Sequence, residues 1–313
     1  MNPWLTIVMP VHFGADFIGS ALASVASESP VGVEVRIYNS ADDKGAARRV
    51  AERFSDQLSI IWQEREEIKS WTGKTNLGVS ETEAPYIAML HQDDLWLPGH
   101  LAAIRQSISD DPEAAMSIGS SRFADAKGRL LSAWKLPFSP GSHEGTGLFE
   151  ALLVQNSIAI PSPVIKREAW LACGGLDDAL WYTADWDLYL KLTRTGRIVV
   201  RPEATTAFRL HGGSLTMAGR SDLDEFRLQL ESVLTRHLED FPDTSDTQVL
   251  QARASIDINC ALAATSAGKP GTLPGALLAL ARLGPRGLSR YFAQSRIIDR
   301  VYPRLKLKLT RGF

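Results

Sequence analysis

Strand-like apolar runs alternate with helix-like stretches over the first two hundred residues of the chain. The run at residues 86–90 is typical, with the length and composition of a buried strand. Expected strands are Leu5–Met9, Val33–Tyr38, Leu58–Trp62, Tyr86–Leu90, Ala114–Ile118, Ile158–Ile165 and Arg197–Val200, and expected helices are Ala15–Ser27, Gly45–Phe54, Thr72–Thr82 and Gly99–Ser109. Strands that alternate with helices favour parallel pairing in a layered α/β sheet.

Beyond residue 220 the pattern becomes helical. Residues 222–240 and 246–267 predict two helices, and Gly268–Pro274 predicts a linker or a sharp turn. With 313 residues, 44% of them hydrophobic and 22% charged, the chain suits one large globular domain, with or without an extension. We therefore predict an α/β domain over residues 1–220 and a C-terminal helical extension over residues 221–313.

The cysteine content and the hydropathy of the chain indicate where it works. Its two cysteines, Cys173 and Cys260, lie far apart and lack metal-type spacing, which excludes a disulfide framework and favours a reducing compartment. We see no signal peptide, and no apolar run approaches the roughly 20 residues of a membrane-spanning helix. We expect a cytoplasmic protein.

The formal net charge of −2 conceals a basic C-terminal segment. From residue 269 onward the chain carries ten Lys or Arg residues and a single acid, Asp299, with large apolar side chains interleaved. Such a segment can be a solvated helix face, a nucleic-acid patch or a membrane-surface helix. We expect no nucleic-acid partner. Peripheral binding to an anionic membrane and packing on the catalytic domain are both compatible with this pattern.

Four polar residues, His91 to Asp94, follow the apolar run at residues 86–90. In open α/β sheets ligands bind at the carboxyl ends of the strands. Two carboxylates at such an end suit Mg²⁺ or Mn²⁺, held together with the phosphates of a substrate. Asp94 alone could instead cap the helix that begins near Pro98.

These residues are one of four motifs that resemble the family 2 glycosyltransferases. The others are an opening strand, a glycine pair followed by a catalytic-aspartate motif, and a histidine loop. In chain order the four are Leu5–His12, Tyr86–Pro98, Cys173–Asp177 with Ala184–Leu188, and Phe208–Ser214. The resemblance covers residues 5 to about 215. It implies a GT-A fold, which is a Rossmann-like mixed sheet flanked by helices, and an enzyme that uses a nucleotide-diphosphate sugar.

The resemblance also implies roles for individual residues. Nucleotide-sugar binding is expected of Pro10, Val11, His12, Asn39, Lys74, His91, Asp93 and Arg209. Asp93 and His211 are the expected ligands of Mg²⁺ or Mn²⁺. Asp94, Trp181 and Trp186 are expected on the acceptor side, where the aromatic rings could stack on a sugar or belong to the core. Lys74 could also be an exposed helical lysine.

Asp185 is the expected catalytic base. If Thr183 caps a helix, Asp185 falls on the inward stripe with two leucines. Asp187 then shares the opposite stripe with Lys191 and Arg194, which predicts an exposed salt-bridge face. We predict an inverting transferase acting on an acceptor hydroxyl, in bacterial-type surface polysaccharide or glycolipid synthesis with a saccharide or lipid-linked acceptor.

Four positions depart from the family pattern, namely Asn39, Thr75, His91 and Ala184. Asparagine both donates and accepts hydrogen bonds, whereas the usual aspartate only accepts, so the nucleotide base stays open. These departures support an alternative, a catalytically inactive nucleotide-sugar-binding or scaffolding subunit. A nucleotidyltransferase is a weaker alternative, because residues 10–20 contain no Lys or Arg.

Overall fold

The computed structural model describes residues 2–213, 222–241 and 244–303. Its strands are β1 (Leu5–Val11), β2 (Val33–Asn39), β3 (Ser59–Glu64), β4 (Tyr86–Met89), β5 (Leu95–Trp96), β6 (Met116–Ala124), β7 (Leu130–Trp134), β8 (Gly141–His143), β9 (Val164–Lys166) and β10 (Ile198–Arg209). The helices are α1 (Ile18–Ala26), α2 (Ala46–Ala51), α3 (Trp71–Ser80), α4 (His100–Asp110), α5 (Gly145–Val154), α6 (Arg167–Ala172), α7 (Ala184–Leu192), α8 (Leu223–Asp240), α9 (Asp246–Ser266), α10 (Leu273–Arg282) and α11 (Gly284–Ser295). Short 3-10 helices span Glu52–Phe54 and Pro270–Thr272, and residues 297–303 are helical.

All ten of these strands form one mixed sheet, in the order β3-β2-β1-β4-β9-β6-β10-β5, with β7 on β6 and β8 on β10. The first four strands pair in parallel, as βαβ connections require. Strand β9 then runs antiparallel to both β4 and β6. The predicted mixed sheet flanked by helices is confirmed.

The register of the parallel half explains where its polar residues meet. Leu5 pairs with Val33 on one side and with Tyr86 on the other, so β1, β2 and β4 start level and end at one edge. Strand β1 is completely buried, and α1 covers it with Ile18, Leu22 and Val25. The carboxyl edge therefore carries the segments around Val11 and Asn39 and the loop after β4.

The helices after residue 222 share the core of the sheet domain. Phe226 and Val233 of α8 and Ile256 of α9 pack in the same apolar cluster as Leu188 of α7. The predicted domain boundary at residues 220 and 221 falls outside the described residues and stays a prediction.

The C-terminal helices bury one face and leave the other open. Ala276, Tyr291 and Ile297 pack with residues of α5 and α9. Facing outward are the exposed apolar side chains of Leu277, Leu278, Phe292, Ile298 and Tyr302. Within the described residues, no helix combines the length and hydropathy that crossing a bilayer requires.

Most predicted strands and helices are present, and the exceptions have local causes. Of the strand predicted at residues 158–165, only its last two residues pair, within β9. Pro161 and Pro163 lack the N–H groups that a ladder needs. The segment expected to be a linker, residues 268–274, contains a 3-10 turn and the start of α10.

Candidate functional site

Lys74 reaches from α3 to the carboxyl edge between β1 and β2. Its ammonium donates to the Val11 carbonyl at 2.9 Å and to the Ser40 hydroxyl at 2.8 Å. Burial, followed by the charge of Lys69, lowers the pKa of Lys74 to about 8. The side chain is 2% exposed, so the alternative of an exposed helical lysine is wrong. A buried cation thus fixes the ends of the first two strands.

Pro10 and Val11 are the last residues of β1. The turn that follows them is hydrogen-bonded to the loop after β4. The His12 backbone N–H donates to Gln92 Oε1 at 2.9 Å, and Gln92 Nε2 donates to the His12 carbonyl at 3.1 Å. A side chain at Gly14 would place its Cβ 2.5 Å from Gln92 Oε1, so glycine lets Gln92 approach this closely without shifting. The His12 ring lies 3.2 Å from the Ser40 hydroxyl.

Asn39 is buried, and its amide is engaged within the protein. Its Nδ2 donates to the Ala41 carbonyl at 2.9 Å and to Glu64 Oε2 at 2.8 Å, while its Oδ1 accepts from the Ala41 N–H at 3.2 Å. Glu64 is exposed at the end of β3. Glu64 was not predicted as a site residue, because a single carboxylate at the end of a strand belongs to no recognisable motif. A nucleotide base at this edge would meet Glu64 beside the locked Asn39.

The two predicted metal ligands lie together although 118 residues separate them. His211 Nε2 is 2.8 Å from Asp93 Oδ2, and these side chains are 10% and 19% exposed. Burial opposes ionisation of Asp93, but the hydrogen bond from His211 and the charges of His91 and His211 hold the pKa of this carboxyl below its usual range. The ring of Phe17 packs 4.4 Å from the His211 ring.

Asp94 faces inward, unlike its neighbour. It is 1% exposed, and its Oδ1 accepts from the Arg209 backbone N–H at 3.0 Å. Its Oδ2 has no hydrogen-bond partner in the described part of the chain. Burial and the adjacent charge of Asp93 raise the pKa of Asp94 well above its usual value. The prediction of an acceptor contact at Asp94 is corrected, because an acceptor cannot touch a side chain so deeply buried.

Arg209 holds the loop after β4 in place. Its Nε donates to the Asp93 carbonyl at 2.6 Å, its Nη1 to the Ala126 carbonyl at 3.1 Å and its Nη2 to the Ser20 hydroxyl at 2.6 Å. All three guanidinium nitrogens therefore contact protein groups. The structure places Arg209 beside the predicted donor site, where it positions Asp93.

His91 lies in the wall of the same site. Its ring centroid is 5.1 Å from that of Trp71 in an edge-on arrangement. Burial lowers the pKa of His91, and its Nε2 is enclosed without a hydrogen-bond partner among the described residues. The Trp71 indole donates to the Trp181 carbonyl at 2.7 Å. Trp71 thus links the donor side to the segment before α7.

Asp185, the predicted base, lies in the first turn of α7, and the pKa of its carboxyl is shifted. Asn156 Nδ2 donates to its Oδ2 at 2.9 Å, and the Trp186 backbone N–H donates to its Oδ1 at 2.8 Å. Burial raises the pKa of Asp185 to about 6, although Asn156, the Trp186 N–H and the charge of Arg300 favour the ionised form. Thr183 is the residue before the helix, but its side chain makes no capping hydrogen bond.

Tyr189 connects the two acidic regions. Burial raises the pKa of its phenol well above the usual value, and the charges of Asp185 and Asp94 raise it further. The hydroxyl is enclosed and has no hydrogen-bond partner within the described residues. Tyr189 therefore senses the charge of both carboxylates, one after β4 and one at the start of α7. Its spacing of four residues from Asp185 was the available sequence clue.

The predicted exposed position of Asp187 is wrong. Asp187 is completely buried and contacts Lys191 Nζ at 2.9 Å, Arg236 Nη1 at 2.9 Å and His237 Nε2 at 3.0 Å. The predicted pairing with Lys191 is present, but α8 covers this face of α7 and supplies the other two partners. Burial opposes ionisation, yet His237 and Lys191 hold the pKa of Asp187 far below its usual value.

The two tryptophans expected on the acceptor side differ. Trp186 is 4% exposed, and its indole donates to the Leu152 carbonyl at 2.7 Å. It belongs to the core, so the prediction that it stacks on a sugar is wrong. Trp181 is half-buried and packs edge-on against Tyr182, which leaves it available to a ligand.

Part of the chain matches a family of known proteins. Residues 6–149 match the model of Glycosyl transferase family 2. This segment therefore resembles a family 2 glycosyltransferase domain. An uncharacterized glycosyltransferase of Rickettsia typhi is 24% identical over 233 residues, which cover 72% of this chain and 70% of the relative. One from Haemophilus influenzae is 25% identical over 191 residues, which cover 60% of this chain and 61% of the relative.

Solved structures share the fold of this chain at low sequence identity. Staphylococcus aureus TarS 1-349 in complex with UDP-GlcNAc gives a TM-score of 0.57 at 12% identity, covering 82% of this chain and 81% of TarS 1-349. Mannosyltransferase PcManGT from Pyrobaculum calidifontis, in complex with GDP-Man and Mn²⁺, gives 0.58 at 17% identity, covering 99% of this chain and 82% of PcManGT. The predicted GT-A fold is confirmed.

The residues present fit a divalent cation shared with a diphosphate. Within the described residues no three His, Cys, Asp or Glu side chains form a metal-type cluster. Nucleotide sites commonly hold Mg²⁺ or Mn²⁺ with only one or two protein carboxylates plus phosphate oxygens. Asp93 provides one such carboxylate, and His211 provides an imidazole nitrogen next to it. The imidazole donor suits Mn²⁺ better than Mg²⁺.

Proposed function

We propose that this glycosyltransferase moves a sugar from a nucleotide-diphosphate donor to an acceptor hydroxyl with inversion at the anomeric carbon. One observation carries the proposal, namely two aspartates in opposite electrostatic states, Asp93 in the loop after β4 and Asp185 in the first turn of α7. His211 keeps Asp93 ionised, whereas burial makes the Asp185 carboxyl basic, with a pKa of about 6. Environments that separate the pKa values of neighbouring carboxyls are typical of divided catalytic roles.

The donor would lie across the ends of β1, β2 and β4. Lys74 places positive charge behind Ser40, and the His12 ring lies at the Ser40 hydroxyl, which suits a nucleotide at this edge. The two solved complexes supply candidate donors, because TarS is bound to UDP-GlcNAc and PcManGT to GDP-Man. The Asn39 amide is hydrogen-bonded within the protein, and the exposed Glu64 lies beside it. The nucleotide base therefore has to be identified by experiment.

Asp185 would act as the general base. The acceptor oxygen attacks the anomeric carbon from the face opposite the diphosphate, and its proton passes to the Asp185 carboxylate. The bond from the anomeric carbon to the diphosphate oxygen breaks, and the nucleoside diphosphate leaves with the electron pair. Asn156 and the Trp186 N–H hold the carboxylate in one orientation for this transfer.

Asp93 and His211 would hold Mg²⁺ or Mn²⁺ on the donor phosphates. When bound there, the cation would offset the charge on the departing diphosphate. Arg209 fixes the backbone of Asp93, and Phe17 packs against the His211 ring, so both side chains are oriented within the protein.

Thermal unfolding with nucleotide sugars tests donor binding. UDP-GlcNAc or GDP-mannose at about 100 times its dissociation constant should stabilise the native state by about 2.7 kcal/mol, or roughly 4 °C in Tm for a chain of this length. The shift should need Mn²⁺ or Mg²⁺ and disappear in Asp93→Ala. Failure of every donor in a panel of UDP-, GDP-, CMP- and dTDP-sugars would contradict the proposal. Donor binding without any release of nucleotide would favour the inactive subunit.

We also propose that the C-terminal helices bind an anionic membrane surface that carries the acceptor, in surface polysaccharide or glycolipid synthesis. Leu277 and Leu278 are 55% and 54% exposed on α10. Between residues 273 and 303 the chain carries five arginines and one acid, and each cation near such a surface contributes about 1 kcal/mol. Exposed apolar groups among cations are the pattern of an interfacial segment.

Flotation with vesicles of phosphatidylglycerol and phosphatidylcholine tests this surface. The intact chain should float at low salt, and Leu277→Asp with Leu278→Asp should remain at the bottom of the gradient. The matched control replaces Leu228 and Leu250 by Asp, because these leucines are 58% and 55% exposed on α8 and α9. If the intact chain stays at the bottom too, the C-terminal segment only packs on the domain.

A further inference from the structure

Resting on the proposed function, we infer that the helix at residues 297–303 belongs to the catalytic site and that its Arg300 is a positioning residue that keeps the Asp185 carboxylate ionised.

A series of contacts leads from this helix to the base. The Arg300 guanidinium lies 5.2 Å from the centroid of the Trp134 ring, which is a cation–π arrangement. The Trp134 indole donates to the Ser157 carbonyl at 2.7 Å. The residue before Ser157 is Asn156, whose amide binds Asp185 at 2.9 Å. Arg300 therefore packs on the wall that supports the base.

The helix is anchored at this place. Ile297 is 8% exposed and packs with Val154 at the end of α5 and with Ile258 of α9. Val301 packs against the same cluster. Ser157 and Asn156 follow α5 directly, so the element that orients Asn156 is the one on which the C-terminal helix rests. This position holds Arg300 on Trp134, next to the segment that carries Asn156.

Arg300 adds a positive charge to the surroundings of Asp185. The hydrogen bonds from Asn156 and the Trp186 N–H favour the ionised carboxyl most, and the charge of Arg300 favours it further. Tyr189, on the same helix as Asp185, is neutral at physiological pH, since burial raises the pKa of its phenol. Of these groups Arg300 is the one that carries a formal charge.

Through Arg300, the C-terminal helix would take part in catalysis near neutral pH. Burial alone favours a protonated Asp185, which cannot accept a proton from the acceptor hydroxyl. A guanidinium nearby favours the carboxylate and stays charged at every working pH. The C-terminal segment, which lies outside the matched family region, would therefore set the acid limit of the reaction.

The test measures the Asp185 pKa directly, by carbon NMR of protein labelled at aspartate carboxyls, with the resonance assigned by Asp185→Asn. Arg300→Met keeps apolar packing on Trp134 and removes the charge, and it should raise the pKa from about 6 by about one unit. Arg300→Lys should keep the wild-type value. Arg253→Gln is the matched control, since it removes an exposed arginine of α9 and should change nothing at Asp185.

Nucleotide release from UDP-GlcNAc and GDP-mannose, measured from pH 5 to 9, gives the functional readout. Arg300→Met should lose about fivefold in rate at pH 6 and recover by pH 9, because only the ionised fraction of Asp185 changes. A loss that is uniform across pH with an unchanged Asp185 pKa would show a merely structural role and overturn the inference. An unchanged pKa in a folded Arg300→Met overturns it whether or not any donor is turned over. A shifted pKa without turnover supports the coupling and counts against the proposed function alone.

Discussion

Replacing Asp187 by asparagine should destabilise the protein without removing the proposed base. Asp187 is completely buried and is bound by Lys191 and His237, which are 14% and 0% exposed, and by the half-exposed Arg236. Asparagine keeps the size of the side chain, but it leaves the charged groups of Lys191 and Arg236 facing a neutral amide. Removal of one partner from a buried ion pair costs about 3–5 kcal/mol.

We expect the lower end of that range, about 3 kcal/mol, for two reasons. The asparagine oxygen can still accept one hydrogen bond, and Arg236 keeps its contact with Asp177 at 2.8 Å. Spread over an unfolding entropy that scales with 313 residues, this loss corresponds to a decrease in Tm of roughly 5 °C. Because the folded pKa of Asp187 is depressed, its contribution is present above the unfolded value near 4 and is lost only as the pH falls below it.

The assay is urea unfolding at pH 7, with Asp56→Asn as the control at an exposed loop aspartate. The control should change the free energy of unfolding by less than about 0.5 kcal/mol. Below its lowered melting temperature Asp187→Asn should keep most of the transferase activity, since Asp185 is untouched. A decrease of less than about 1 kcal/mol in the free energy of unfolding would contradict this expectation, because the buried ion cluster would then contribute little to the native state.

Three further results are expected. Asp93→Ala should lower turnover by about 100-fold or more while the circular dichroism spectrum is retained, and near-normal turnover would remove Asp93 from the site. Asp185→Asn should be more stable than the wild type at pH 7.5, by about 1 kcal/mol or more in urea. The reason is that the raised pKa of Asp185 makes stability fall as the pH rises from about 4 to about 6. An equal or lower stability of Asp185→Asn would show that the ionised Asp185 does not destabilise the native state. Gly175→Ala should cost more in Tm than Gly174→Ala, because both have positive φ but only at Gly175 would a Cβ meet atoms, at 2.6 and 2.8 Å.

The parallel half of the sheet was predictable because its pattern is local. Strands β1, β2 and β4 are continuous apolar runs that end at polar residues, and their predicted bounds differ from the observed ones by two residues at most. The pairing of Asp93 with His211 was expected only from the family resemblance. Hydrophobic periodicity alone cannot predict a contact between two residues that are 118 positions apart.

The errors around α7 have one physical cause. A helical stripe shows which residues share a face, but it does not show which faces a later segment covers. Asp187 was expected in solvent, and α8 buries it under Arg236 and His237. Trp186 was expected to be available to a sugar, and Leu152 of α5 binds its indole. Lys74 likewise has no local mark of burial, because its partners are a strand carbonyl and a serine on another strand end.

Release of nucleoside diphosphate by the purified protein and by Asp185→Asn shows whether Asp185 is the base of a sugar transfer. The donors would be UDP-GlcNAc and GDP-mannose with Mn²⁺, supplied with p-nitrophenyl glycosides as acceptors. We expect turnover in the wild type, with a rate that declines below about pH 6, and a loss of about 100-fold or more in Asp185→Asn, which should fold normally. Equal rates for the wild type and Asp185→Asn would contradict this assignment, because the group proposed to accept the proton would then be dispensable.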